Sequence, residues 1–229
     1  MRKASLAVIS SPGRPVAVNQ ALLVRKKHFI LDFDGTLADT TRAHAHAFQT
    51  VFAAFGVDVV YSKVAGLTTD AAIRTLAREA GIDLTETEVG GLVSQKQRLA
   101  RELIPQWVQW FVGVPEFFRW AEGSGKTLSL VTSASRGTLD VSLRSLPGTP
   151  RFSPCIAGDD VSQGKPHPEG YRTVIDATGF SREDCLVFED SEAGFRAAAE
   201  AGLDYVEVDP RTWSQIAALI QDGERLTHD

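Results

Sequence analysis

The amino-acid sequence predicts an α/β protein, a doubly wound and mostly parallel sheet carrying an inserted α-helical cap. Three observations lead there. Apolar runs of strand length recur at 28–33 (HFILDF), 127–132 (TLSLVT), 152–157 (FSPCIA), 185–189 (CLVFE) and 203–208 (LDYVEV). Segments with helical patterning separate or follow the later runs, at 136–146, 168–178, 192–201 and 212–221, and strands alternating with helices form parallel sheets covered on both faces. After the first run, about 70 residues (41–112) hold no convincing strand.

Taken in order, the first run stops at Asp34-Gly35, as a buried strand does at a tight turn. The strand-free stretch reads as three helices. They are 41–55, with Phe48, Val51, Phe52 and Phe55 at helical spacing; 69–80, ended by Gly81; and 86–104, ended by Pro105. A helical block inserted after the first strand sits above the carboxyl ends of the strands, where such sheets bind ligands. The expected division is therefore a leader at 1–27 without a catalytic role, a core of 28–40 and 113–229, and a cap of 41–112.

Composition bounds the function. The 229 residues are 43% hydrophobic and 23% charged, enough for one ordinary domain with an insertion. Cys155 and Cys185 make no disulfide framework and match no zinc spacing, which points to a reducing compartment and a cytoplasmic location. No apolar run approaches the roughly 20 residues that span a bilayer, so no membrane partner is expected. The net charge of −5 hides an asymmetry: Arg2, Lys3, Arg14, Arg25, Lys26 and Lys27 precede the first acid, Asp32. Without those six, 18 basic residues face 29 acidic ones over 28–229, a net −11. So negative a body argues against nucleic acid as a partner. The basic leader leaves organelle targeting open. Oligomeric state is not legible.

The polar residues at the strand ends carry the chemistry. Asp32 and Asp34 flank the end of the first strand, Thr132 and Ser133 follow TLSLV, Lys165 lies in GKPHPE, and Glu189-Asp190 close CLVFE. Each has a plain explanation on its own: a turn at Asp34-Gly35-Thr36, a helix cap among Asp39, Thr40 and Thr41, a cap at Thr132, Ser133, Asp190 or Ser191, a solvated charge at Lys165. In a parallel sheet, however, all of these ends share one rim, so a hydroxyl, an ammonium and up to four carboxylates would surround one small volume. Carboxylates without accompanying His or Cys suit Mg²⁺, and their mutual repulsion calls for a cation.

These motifs, in this order, resemble those of the haloacid dehalogenase (HAD) superfamily of phosphotransferases. The first is D32-F-D-G-T-L-A-D39-T, the second the strand ending in Thr132, the third K165-P-H-P and the fourth E189-D190-S-E-A-G. The resemblance covers about residues 28–208. It implies that Asp32 attacks phosphorus to give an aspartyl-phosphate and that Asp34 protonates the leaving oxygen, then deprotonates the hydrolytic water. It also implies that Thr132 and Lys165 hold phosphoryl oxygens, and that Mg²⁺ is bound by Asp32, the Asp34 carbonyl and Asp190, with Glu189 as a direct or water-mediated ligand.

The aspartate at 34 separates phosphate chemistry from the dehalogenase branch. The helical insertion is similar to that of phosphoglycolate-type phosphatases, sugar-phosphate phosphatases and β-phosphoglucomutase. The expected activity is hydrolysis of a small phosphorylated metabolite, a sugar phosphate or phospho-hydroxy acid, with a phosphosugar mutase as the alternative. His44 and Lys96 fall where the mutase has a histidine and a cap lysine, while Thr69 stands where it carries a phosphate-gripping arginine, which favours hydrolysis. His44, Thr69, Lys96 and Ser133 are the candidate substrate contacts. A non-catalytic binding module would not need both aspartates, Thr132, Lys165 and Asp190.

The segment from Gly123 to Thr127 imitates the end of a nucleotide-binding loop, but Trp120 stands where its leading glycine belongs, and a helix precedes it where a strand should. The rings of Trp107, Trp110, Phe111, Phe117, Phe118 and Trp120 straddle the return from cap to core, and one or two are expected to shape the substrate pocket.

Overall fold

The structure, a computed structural model, describes residues 13–226. Five parallel strands form the sheet: β1 (His28–Leu31), β4 (Thr127–Val131), β5 (Cys155–Ile156), β6 (Cys185–Glu189) and β7 (Tyr205–Glu207), in the spatial order β5-β4-β1-β6-β7. β1 is central, with Leu31 beside Leu130 on one side and Phe188 on the other. The chain leaves β1 toward both sides, which makes its carboxyl end the switch point where α/β sheets open a crevice.

Alternation along β1 divides the core. Phe29 and Leu31 pack with Phe117, Phe118, Trp213 and Ile216 of α5 (Val114–Gly123) and α9 (Thr212–Leu226). Ile30, on the opposite face, packs with Tyr171, Val174, Ala197 and Ala198 of α7 (Glu169–Thr178) and α8 (Glu192–Glu200). The helix α6 (Arg136–Ser145) follows β4. The expected strand at 152–157 shrinks to Cys155–Ile156, because Pro154 has no N–H to give the ladder.

The cap consists of α2 (Thr41–Phe52), α3 (Thr69–Glu79) and α4 (Glu86–Trp107), around Phe48, Val51, Phe52, Ile73, Leu76 and Val89. Thr85 and Glu88 close a capping box at the start of α4. Pro105 does not end this helix, which runs to Trp107 with the proline inside its last turn. The chain enters and leaves the cap side by side through a ribbon absent from the sequence reading, β2 (Ala38–Asp39) against β3 (Gln109–Trp110), antiparallel. Ala43, Ala47, Ala100 and Ile104 seat the cap on Val141 of α6.

The leader needs correcting. Residues 1–12 lie outside the described residues, but those after them belong to the core. Arg14 and Val16 bond Tyr205 on the edge of β7, at 3.1 and 2.8 Å. Asn19 caps the short helix α1 (Gln20–Arg25), which buries Leu22 and Leu23. Lys26 is buried too, its ammonium donating to the Cys185 carbonyl at 2.7 Å with the Asp204 carboxylate 3.7 Å away. Among the described residues no helix is long and apolar enough to cross a membrane. The false nucleotide loop is the turn from α5 into β4, and its Lys126 donates to the carbonyls of Val24 and Lys26 at 2.6 and 2.8 Å.

Candidate active site

The strand ends bring Asp32, Asp34, Thr132, Lys165, Glu189 and Asp190 to one rim. Asp32 extends β1, its N–H donating to the Phe188 carbonyl at 3.0 Å. Gly35 then turns the chain at φ 82°, a conformation that suits glycine. A Cβ there would lie 2.1 Å from Asp190 Oδ2, so the carboxylate rests against bare backbone. Thr36 Oγ1 holds the other oxygen, Oδ1, at 3.0 Å.

Lys165 is buried among acceptors. Its Nζ donates to Asp32 Oδ1 at 2.6 Å, Glu189 Oε1 at 2.5 Å and the Val131 carbonyl at 3.0 Å. Burial would lower its pKa, but Asp32 and Glu189 outweigh burial and raise it. Glu189 Oε2 accepts from the N–H groups of Asp190 and Ser191 at 2.8 and 2.9 Å and from the Ser191 hydroxyl at 3.0 Å, while Tyr171 donates to Oε1 at 3.4 Å. Gly194 makes room for it in the first turn of α8, since a Cβ there would meet Glu189 Oε1 at 1.8 Å. Ser191 is the cap of that helix, donating to Glu189 and accepting from Gly194 N.

Asp34 is held as a carboxylate. Oδ1 accepts from Thr40 at 2.6 Å and from His44 Nε2 at 3.1 Å, and Oδ2 accepts from Thr132 at 3.2 Å. Burial alone would raise its pKa; His44, Thr40 and Lys96 outweigh burial and bring it to about 2. Lys96 Nζ lies 2.8 Å from His44 Nδ1. An ammonium can only donate, so Nδ1 accepts and Nε2 carries the hydrogen toward Asp34. Burial and Lys96 hold the imidazole pKa below its ordinary value against the pull of Asp34. Thr40, at the N-cap position of α2, makes no capping bond with its side chain, because its hydroxyl serves Asp34.

Negative charge is in excess at this rim. Burial, with Glu189 and Asp190, pushes Asp32 well above the ordinary carboxylate range against the pull of Lys165. Burial and Glu189 push Asp190 up to about 7. Asp32, Glu189 and Asp190 each offer an oxygen within 4.8 Å of the others. An all-oxygen cluster with raised pKa values fits a hard divalent cation.

The cap closes the site. Asp32, Asp34, Thr132 and Ser133 share a small cavity of about 30 Å³ with Phe48, Tyr61, Leu67, Thr69 and Lys96. The candidate contacts His44, Thr69 and Lys96 therefore all reach it. Ser133 does so as a tie, its hydroxyl donating to the Gly66 carbonyl of the cap at 2.7 Å. The six junction rings do not line this cavity: Trp110, Phe111, Phe117, Phe118 and Trp120 pack on the main core, and Trp107 lies under Arg42 on the cap side. Phe48 and Tyr61 occupy that role instead. Phe48 was marked by its helical spacing, whereas Tyr61, in a short 3₁₀ turn (Tyr61–Lys63), carried no periodic signal.

Fold and rim define a haloacid dehalogenase-like hydrolase, and the model of that family matches residues 29–208. The chain belongs to this family, in the branch of phosphoglycolate phosphatases and β-phosphoglucomutase, and the expected phosphatase-type enzyme holds. It is 34% identical over 190 residues to protein CbbY of Rhodobacter capsulatus, covering 79% of this chain and 84% of that one. It is 27% identical over 198 residues to the phosphorylated carbohydrates phosphatase of Thermotoga maritima, covering 85% and 90%. The crystal structure of CbbY from Rhodobacter sphaeroides in complex with phosphate superposes with a TM-score of 0.72 at 27% identity, over 80% of this chain and 86% of that one.

Proposed function

We propose that the protein is a Mg²⁺-dependent phosphatase that hydrolyses a small phosphorylated metabolite through an aspartyl-phosphate on Asp32. The observation that carries this reading is the buried Lys165 ammonium on Asp32 Oδ1. It fixes one oxygen of the nucleophile and sets positive charge where an anionic phosphate must arrive. Among the described residues nothing hydrogen-bonds Asp32 Oδ2, which is the oxygen available for attack.

Asp32 forms the new P–O bond as the ester P–O bond breaks, and the leaving oxygen takes a proton. Water then attacks phosphorus, losing a proton to Asp34, and the Asp32–phosphorus bond breaks to release inorganic phosphate. Two easier displacements replace one difficult one. Asp34 rests ionised, ready for the second half. For the first half it needs a proton, and the chain from Lys96 through His44 leads one to it. Asp32, Asp190 and the Asp34 carbonyl would hold Mg²⁺, which supplies neutralisation of the phosphoryl oxygens. With both oxygens of Glu189 already engaged, its part is to hold Lys165 or to reach the metal through water.

The reach of His44 and Lys96 to Asp34 also supports the second reading, a phosphosugar mutase. Thr69 weighs against it, because a mutase must hold a second phosphate while its intermediate turns over. Phosphate release with Mg²⁺ from phosphorylated sugars and hydroxy acids decides. Release that Asp32→Asn abolishes supports hydrolysis; isomer exchange without release, primed by a bisphosphate, supports the mutase.

A further inference from the structure

Trp213, in the first turn of α9, is the largest fully buried side chain among the described residues. Its ring packs on Phe117 and Phe188, with centroids 5.0 Å from each. Its indole N–H leaves this apolar cluster and donates to the Thr36 carbonyl at 2.6 Å. Among the described residues this is the one hydrogen bond that carbonyl accepts. Thr36 is fully buried as well, and its hydroxyl donates to Asp190 Oδ1 at 3.0 Å. One residue therefore joins α9, through its carbonyl, to the carboxylate that follows β6, through its hydroxyl.

Neither end of this chain has much else to hold it. Thr36 lies in a turn (35–37) outside both flanking strands, so no ladder fixes its orientation. The Asp190 side chain accepts no other hydrogen bond among the described residues and otherwise rests on the bare backbone of Gly35. Trp213, by contrast, is anchored. Asp209 Oδ1 accepts from the N–H groups of Arg211 and Thr212 at 2.7 and 3.0 Å and so fixes the start of α9. Gly113, where the chain returns from the cap, packs against the Trp213 carbonyl so closely that a Cβ there would run into it. A buried carbonyl that loses its partner is costly, so a rigid indole restricts the turn to the conformation that keeps the bond.

We propose that Trp213 is a positioning residue for the metal: it fixes the Thr36 carbonyl, Thr36 sets the orientation of Asp190, and α9 thereby governs how tightly Asp32, Glu189 and Asp190 bind a divalent cation. This goes beyond the phosphatase reading in the residues it assigns and rests on it in one point, that Asp190 is a metal ligand.

The test is the affinity of the full chain for Mn²⁺, a hard cation that suits the same oxygen ligands, read without substrate from the loss of the free-ion signal in electron paramagnetic resonance. Thr36→Val keeps the side-chain shape and removes the hydroxyl. Trp213→Phe removes the N–H, and 3-benzothienylalanine at position 213 removes it while keeping the shape of the ring, should the smaller ring cost folding. Each should raise the Mn²⁺ dissociation constant about tenfold, as loss of an outer partner of a metal ligand does. Because both residues act through one carboxylate, the double variant Thr36→Val/Trp213→Phe should bind Mn²⁺ no more weakly than Thr36→Val alone. Phe117→Leu, which loosens the packing around Trp213 without touching the turn, should lower the urea midpoint and leave Mn²⁺ affinity at the wild-type value. An unchanged dissociation constant in a folded variant lacking the N–H at position 213, losses that add in the double variant, or an equal loss of affinity in Phe117→Leu overturns the proposal. Wild-type Mn²⁺ affinity in Asp190→Asn overturns instead the metal assignment beneath it.

Discussion

Lys165 and Asp32, 133 residues apart in the chain, form a buried ion pair with Nζ 2.6 Å from Oδ1. Glu189 makes the ammonium a bridge between two carboxylates. Lys165→Met removes the only positive group in contact with either carboxylate among the described residues. Removing one preorganised donor typically costs two to three orders of magnitude in kcat, and breaking a buried pair about 3–5 kcal/mol of stability. Steady-state kinetics and urea denaturation measure the two losses; a variant with wild-type kcat contradicts the assigned role.

Gly35 sets how closely Asp190 approaches the loop after β1. In Gly35→Ala the new methyl would stand 2.1 Å from Asp190 Oδ2 at a φ of 82°. The carboxylate must move, and the backbone strain costs about 1–2 kcal/mol. If Asp190 serves the metal, half-maximal activity should require roughly tenfold more Mg²⁺. An unchanged Mg²⁺ requirement in a folded variant would separate Asp190 from metal binding.

Far from the site, His28 begins β1, fully buried, with Nε2 2.7 Å from the Ser129 hydroxyl and its ring 4.9 Å from Phe180. Burial lowers its pKa from 6.5 to about 4. Between those values the unfolded chain binds the proton and the folded one does not. This contribution is therefore whole above about pH 6.5 and shrinks as pH falls to 4, by up to roughly 3 kcal/mol at 1.36 kcal/mol per pH unit. In His28→Gln that dependence disappears, so the stability gap between wild type and variant, read from urea midpoints, narrows from pH 7 to pH 4.5. A gap independent of pH contradicts the assignment.

Leu23, 1% exposed in α1, tests whether the residues before β1 belong to the fold. Leu23→Ala should destabilise the protein by about 2–5 kcal/mol, as core truncations do. A loss below about 0.5 kcal/mol by thermal or urea unfolding would return α1 to the status of a loose leader.

The sheet, the cap helices and the rim were legible because each rests on local patterning: apolar runs ended by Asp-Gly or polar pairs, and helical spacing ended by glycine. What escaped the sequence depends on distant partners. The β2–β3 ribbon is two residues per strand and exists only because the cap returns beside its start. Lys26 looked like part of a basic leader, yet it folds onto the Cys185 carbonyl, 159 residues away. Thr40 looked like a helix cap, but its hydroxyl turns to Asp34. The junction aromatics were drawn toward the pocket by their position in the chain, while their area is better buried between sheet and helices. Tyr61 sits in a single 3₁₀ turn, too short for any period to announce.

In the proposed reaction Asp32 itself becomes phosphorylated. Rapid acid quench of the protein turning over acetyl phosphate with Mg²⁺, followed by peptide mass spectrometry, reads this directly. The expected result is a gain of about 80 Da, one phosphoryl group, on the peptide containing Asp32, accumulating in Asp34→Asn and absent in Asp32→Asn. Continued phosphate release by Asp32→Asn, with no adduct on that peptide in the wild type, would contradict it.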